Sequence, residues 1–313
     1  MSVADAAARR AADGNTDGRD APGDLLAAGD LRARPDVAIV GAMKCGTSSL
    51  AAQLAAQPGL FVTTPKEPNF FSDDDVYARG PDWYAGLFDG AAPGDLRVEA
   101  STHYAKLPDL PRACPRLAAA CPDARIVYLI RDPVARAVSH FVHGWTVGEM
   151  GRDGETIDDA VEARPALIAY GRYGAQVAPW LAAFGPDRVH VDTMEAMRAD
   201  PRAFMDRLGA FLGRPLAWRD DLGAQNVSAE RLRRHPLDRW LLHSAPAEAL
   251  RRALVPKALR EAVKARRRMT DRPVLGAAAR ARLEAAFLED RARLHDLLPG
   301  RPDLDAAYPF VTA

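Results

Sequence analysis

The chain has 313 residues, 48% of them hydrophobic and 27% charged, enough for one α/β domain with helical additions to bury a sizeable core. Its 42 basic and 42 acidic residues cancel, which argues against the basic surface of a nucleic-acid binder and leaves any anion site to local geometry. Three cysteines without a CxxC or metal spacing offer neither a disulfide framework nor a cysteine-based metal site.

Residues 1–34 are rich in Ala, Gly, Asp and Arg, with few large apolar residues beyond Leu25, Leu26 and Leu31, and are expected to form a disordered leader. No apolar run follows a basic start, and no stretch nears the ~18 residues that span a bilayer. A cytoplasmic protein without a membrane partner is therefore expected. Residues 36–40 form an apolar run that reads as a buried parallel strand. A tight loop from Gly41 to Gly46 follows, then a helix from Thr47 that ends before Pro58.

Further strands are expected at 60–63, 96–99, 125–130 and 188–192. Helical patterns lie near 109–121, 133–147, 173–184 and 201–212. Such alternation predicts a parallel sheet covered on both faces, with the loops after the strands gathered on one ligand-binding edge. From about 226 strand signals stop, and helices are expected at 228–243, 246–265 and 276–298.

Two loops on that edge carry the chemistry. The first is Gly41-Ala42-Met43-Lys44-Cys45-Gly46-Thr47-Ser48-Ser49. Glycines allow close backbone approach, a helix N-terminus presents N–H groups, and Lys44, Thr47 and Ser48 add a charge and hydroxyls, together a phosphate cradle. Cys45 and Gly46 are expected to contribute backbone N–H groups. The order is not that of a Walker A loop, in which Gly-Lys-Ser/Thr closes the motif, so no metal site is expected. Only five of the 42 cations are lysine, which makes Lys44 informative, since lysine is a compact, mobile charge that arginine does not imitate.

The second is Arg131-Asp132-Pro133, with Ser139 two helical turns on. Asp132 suits an N-cap and Pro133 a first helical turn. Arg131 with the Ser139 hydroxyl would hold a second, separate phosphate.

With both loops in place, the sequence resembles the sulfotransferase superfamily. Lys66-Glu67-Pro68-Asn69-Phe70-Phe71, Trp83-Tyr84, Glu99-Ala100-Ser101-Thr102-His103-Tyr104, Tyr173 to Leu181 and Phe211-Leu212-Gly213 are similar to the branch of heparan sulfate N- and 3-O-sulfotransferases and their bacterial relatives. The resemblance covers about 36–215. It implies a P-loop-like three-layer α/β sandwich over 35–313, with a central parallel sheet, flanking helices and a mainly helical part from 226. It also implies 3′-phosphoadenosine-5′-phosphosulfate as donor, with Lys44, Cys45, Gly46, Thr47 and Ser48 at its 5′ end and Arg131 and Ser139 at its 3′-phosphate. The acceptor would be a hydroxyl or amine of a carbohydrate or small molecule.

For the general base the resemblance implies Glu67 first and His143 second. Other readings stand beside these: Glu67 as a turn residue paired with Lys66, His143 as a packed helix histidine, and His103 as structural or lining an acceptor cleft. Asn69 and Ala100 replace a histidine and a lysine of the heparan-type enzymes, which weighs against a polyanionic acceptor. The family's late basic loop has only a poor counterpart at 266–271, and the basic run from Arg251 to Arg272 suits a solvated helix face as well as a cover over the donor. The rival functions are a nucleotide kinase or NTPase, and a non-catalytic nucleotide-binding module.

Overall fold

A computed structural model of the chain describes residues 26–27, 29–222, 269 and 271–311. In chain order its main elements are β1 (Val37–Gly41), α1 (Thr47–Ala55), β2 (Leu60–Val62), α2 (Gly80–Gly86), β3 (Leu96–Ala100), α3 (Ala113–Ala120), β4 (Arg125–Ile130) and α4 (Pro133–Val147). They continue with α5 (Ile157–Ala163), α6 (Tyr173–Phe184), β5 (Val189–Thr193), α7 (Met194–Ala199), α8 (Pro201–Leu212) and α9 (Ala277–Leu297).

The strands form one parallel sheet in the order β2-β3-β1-β4-β5, flanked by the helices. All of β1 is buried, and so is β4 apart from its first residue, as their unbroken apolar runs require of strands covered on both faces. The strand order reverses at β1. Beyond the carboxyl ends of β1 and β4 lies the crevice where open α/β sheets take their ligands.

Local chemistry explains why the helices begin where they do. The Asp132 carboxylate accepts from the N–H groups of Val134 (2.8 Å) and Ala135 (3.1 Å), Pro133 opens α4, and Gly148 closes it in the left-handed region. Such a cap contributes about 1 kcal/mol. Asp200, Pro201 and Gly213 repeat the arrangement on α8. The expected helices at 133–147, 173–184 and 201–212 coincide with α4, α6 and α8. The helix expected over 109–121 is shorter, because prolines 108 and 111 hold its first residues in turns.

The C-terminal helix is fastened to the sheet domain. Its Leu283, Phe287, Asp290 and Leu294 are buried. Asp290 accepts from the N–H groups of Gly174 (2.6 Å) and Ala175 (2.9 Å), and so caps α6. A Cβ on Gly174 would lie 2.8 Å from the Asp290 carbonyl oxygen, so only glycine admits this approach of the two helices.

The leader differs from expectation at its end. Leu31 is buried, Arg32 pairs with Asp89 at 2.8 Å, and the Leu26 N–H donates to the Tyr77 hydroxyl at 3.0 Å. These contacts hold the residues before β1 against the domain, because Leu31 finds a core to enter. Among the described residues no helix is long and apolar enough to cross a membrane. The helices expected at 228–243 and 246–265, and most of the basic stretch from Arg251 to Arg272, lie outside the described residues.

Candidate active site

The loop after β1 is shaped by two close approaches. A Cβ on Gly41 would sit 2.4 Å from the Tyr128 ring, and Gly46 has φ +89° with Met194 and Met197 against it. Both positions therefore need glycine. Gly46 is the N-cap of α1 and supplies no side-chain bond to the first-turn N–H groups, which stay available to an anion.

Arg131, at the end of β4, reaches this loop directly: its Nη1 donates to the Lys44 carbonyl at 3.1 Å. Its Nε is buried with no hydrogen-bond partner among the described residues. Tyr173 donates its hydroxyl to the Arg131 carbonyl at 2.8 Å and lies 3.5 Å from Cys45 Sγ. The Asp132 N–H is held by Glu195 Oε1 at 3.0 Å. Lys44, Cys45 and Arg131, far apart in sequence, are thus brought into one hydrogen-bonded group. Ser139 is buried on α4.

The Cys45 N–H donates within the loop, to the Ala42 carbonyl at 3.2 Å. Burial pushes its thiol up to about 11, so it stays protonated. Cys45 shapes the loop from inside.

Glu67 follows β2 on the same edge of the sheet. Its N–H donates to the Ala100 carbonyl at 2.9 Å, and the Asn69 N–H donates to Ser101 Oγ at 3.1 Å. Ser101 in turn donates to the fully buried Glu99 at 2.7 Å, which also accepts from Tyr84. Four non-glycine residues among those described have positive φ, and three are here: Lys44 (70°), Glu67 (60°) and Asn69 (58°). Each such residue costs of order 1–3 kcal/mol, and held strain of this kind gathers at functional sites.

The Glu67 carboxylate accepts from Lys66 Nζ at 2.6 Å and Thr102 Oγ1 at 3.2 Å, both at Oε1. Among the described residues no hydrogen bond engages Oε2, which leaves it free to take a proton. Burial would raise this carboxyl, but the charges of Lys66 and Lys106 hold it below its ordinary value. Burial and Lys106 lower His103 to about 4, so its ring is neutral. Burial also lowers Lys106 to about 8, against the pull of Glu67, Glu149 and Asp109.

Lys106 links this group to α4. Its Nζ stands 5.8 Å from the Tyr170 ring, on which His140 stacks at 5.6 Å. Burial keeps the His140 ring neutral, aided by the charges of Arg136, Lys106, His143 and Lys44. The half-buried His143 therefore lies in the same field as Lys44. Sequence reasoning missed Lys106, His140, Tyr170, Thr102, Tyr173 and Glu195 as parts of the site. Signals existed for two of them: Lys106 is one of the five lysines, and His140 follows Ser139 directly.

A parallel sheet with a glycine-shaped loop, an uncapped helix N-terminus and a half-buried arginine at its reversal point defines a P-loop-like α/β protein. The chain belongs to the sulfotransferase domain family, whose model matches residues 34–239. It is 36% identical over 122 residues to heparan sulfate glucosamine 3-O-sulfotransferase 6 of Homo sapiens, covering 39% of this chain and 34% of that protein. It is 28% identical over 186 residues to bifunctional heparan sulfate N-deacetylase/N-sulfotransferase 1 of Caenorhabditis elegans, covering 53% of this chain and 21% of that protein. The chain thus spans about a third and about a fifth of the length of these curated relatives. Among solved structures, a sulfotransferase from Alicyclobacillus acidocaldarius matches with TM-score 0.59 and 27% identity, over 85% of this chain and 96% of that one.

Proposed function

We propose that this chain transfers a sulfonate group from 3′-phosphoadenosine-5′-phosphosulfate to a hydroxyl or amine of a carbohydrate or small-molecule acceptor, in the cytoplasm and without a metal. The observation that carries the reading is the bond between Arg131 and the Lys44 carbonyl, which sets two anion-binding devices side by side on one sheet edge. The residues fit a donor with two separated anionic groups. Uncapped N–H groups at the start of α1 suit the 5′ end, and the buried, unpartnered Arg131 Nε suits the 3′-phosphate.

The donor supplies a sulfonate already activated on its 5′-phosphate. Lys44, with the N–H groups and hydroxyls of Thr47 and Ser48, stabilises the negative charge that grows at that phosphate as the sulfonate leaves. Arg131 and Ser139 hold the 3′-phosphate and so fix the position of the reacting end. Glu67 accepts the proton of the attacking hydroxyl or amine at Oε2, while Lys66 and Thr102 keep the carboxylate ionised and oriented through Oε1. His143 is the second candidate for that proton.

Titration calorimetry without metal tests the reading, with 3′-phosphoadenosine 5′-phosphate as ligand and ATP with magnesium as control. Selective binding of the bisphosphate is expected. Selective binding of ATP with magnesium would hand the chain to the kinase reading.

A further inference from the structure

The two ends of the anion site are joined behind the ligand surface. Arg131 Nη1 donates to the Lys44 carbonyl at 3.1 Å, the Arg131 carbonyl accepts from the Tyr173 hydroxyl at 2.8 Å, and that hydroxyl lies 3.5 Å from Cys45 Sγ. These contacts close a ring: loop, arginine, tyrosine, loop. Tyr173 is fully buried at the start of α6, whose first N–H groups are fixed by Asp290.

The protons in this ring can be assigned. Burial pushes the phenol well above its ordinary value and the Cys45 thiol up to about 11, so both keep their hydrogens. The phenol has one hydrogen to donate, and at 2.8 Å it goes to the Arg131 carbonyl. The thiol hydrogen has two acceptors in reach, the phenol oxygen at 3.5 Å and the Met43 carbonyl at 3.7 Å. One hydroxyl thus contacts at once the loop after β1 and the end of β4.

We propose that Tyr173 is a positioning residue that couples the two anion subsites, so that filling either one strengthens binding at the other. The proposal rests on the donor reading given above. An anion at the α1 N-terminus immobilises the loop, and the loop, through Cys45, Tyr173 and the Lys44 carbonyl, immobilises Arg131. A phosphate arriving at Arg131 then has less disorder to remove, and by linkage the effect runs equally in both directions. Tyr173 itself touches neither anion.

The test compares three ligands on the full chain, wild type and Tyr173→Phe, by calorimetry: 3′-phosphoadenosine 5′-phosphate, adenosine 5′-monophosphate and adenosine 3′-monophosphate. Couplings of this kind run from about 5-fold to about 150-fold. The bisphosphate is therefore expected to weaken about tenfold in the variant, and each monophosphate, which fills one subsite, to weaken far less. Equal losses for all three ligands, or no loss for any, overturn the coupling. A wild-type protein that ignores the bisphosphate overturns the donor reading itself, and the coupling with it. Should Tyr173→Phe not fold, Cys45→Ala cuts the ring at its other bond and decides by the same pattern: a selective bisphosphate loss supports the coupling and equal losses refute it.

Discussion

The loop half of the candidate site and the Glu67 half lie on the same sheet edge but are built differently. Around Lys44 and Arg131 the structure relies on backbone: glycine approaches, an uncapped helix start, and a guanidinium bonded to a loop carbonyl. Around Glu67 it relies on charge: Lys66 and Lys106 set the state of one carboxylate, with Thr102 orienting it. The contrast shows how one edge can serve two tasks. A fixed anionic nucleotide suits rigid geometry. A group that must gain and lose a proton suits a tuned electrostatic field.

Substitutions can break that contrast or sharpen it. Lys44→Ala should have the largest effect, lowering kcat by about a thousandfold, because it removes charge stabilisation needed mainly in the transition state. Affinity for 3′-phosphoadenosine 5′-phosphate should fall much less, and near-normal turnover would remove Lys44 from the chemistry. Glu67→Gln should lower kcat by about a hundredfold and leave nucleotide affinity unchanged, since it acts on the other half. A larger loss in His143→Ala than in Glu67→Gln would move the base to His143.

The smallest expected effect is a shift in pH dependence. Lys66 and Lys106 both hold the Glu67 carboxyl down, and Lys66 does so more strongly. Removing either raises that carboxyl, so the base becomes protonated at a higher pH and activity is lost sooner on acidification. Lys66→Met should move the acid limb of kcat/KM to higher pH, and Lys106→Met should move it the same way by less. A shift to lower pH in either variant would contradict the assignment of the limb to Glu67.

The sequence made the loop half far more legible than the Glu67 half. Glycines, Lys44 and the Asp132-Pro133 start of α4 are local signals, because backbone needs dictate residue types at fixed spacing. The parallel sheet and its ligand-binding edge followed from the alternation of strands and helices, whereas the strand order did not. The field around Glu67 arises only when β2, β3, α4 and the segment around Tyr170 meet, and no spacing along the chain announces it. Lys106 had a compositional signal alone. Tyr173 sits within a recognised stretch, yet its bonds to Arg131 and Cys45 depend on the approach of α6 to the ends of β1 and β4.

The central claim is that two separate anion subsites, one at α1 and one at Arg131, read the two ends of one donor. It is tested most directly by measuring the affinity of Arg131→Ala for 3′-phosphoadenosine 5′-phosphate and for adenosine 5′-phosphosulfate, which lacks the 3′-phosphate. The account predicts that the loss for the bisphosphate exceeds the loss for the phosphosulfate by about tenfold or more, the scale of a hydrogen bond to a charged group. Equal losses for the two ligands would contradict it.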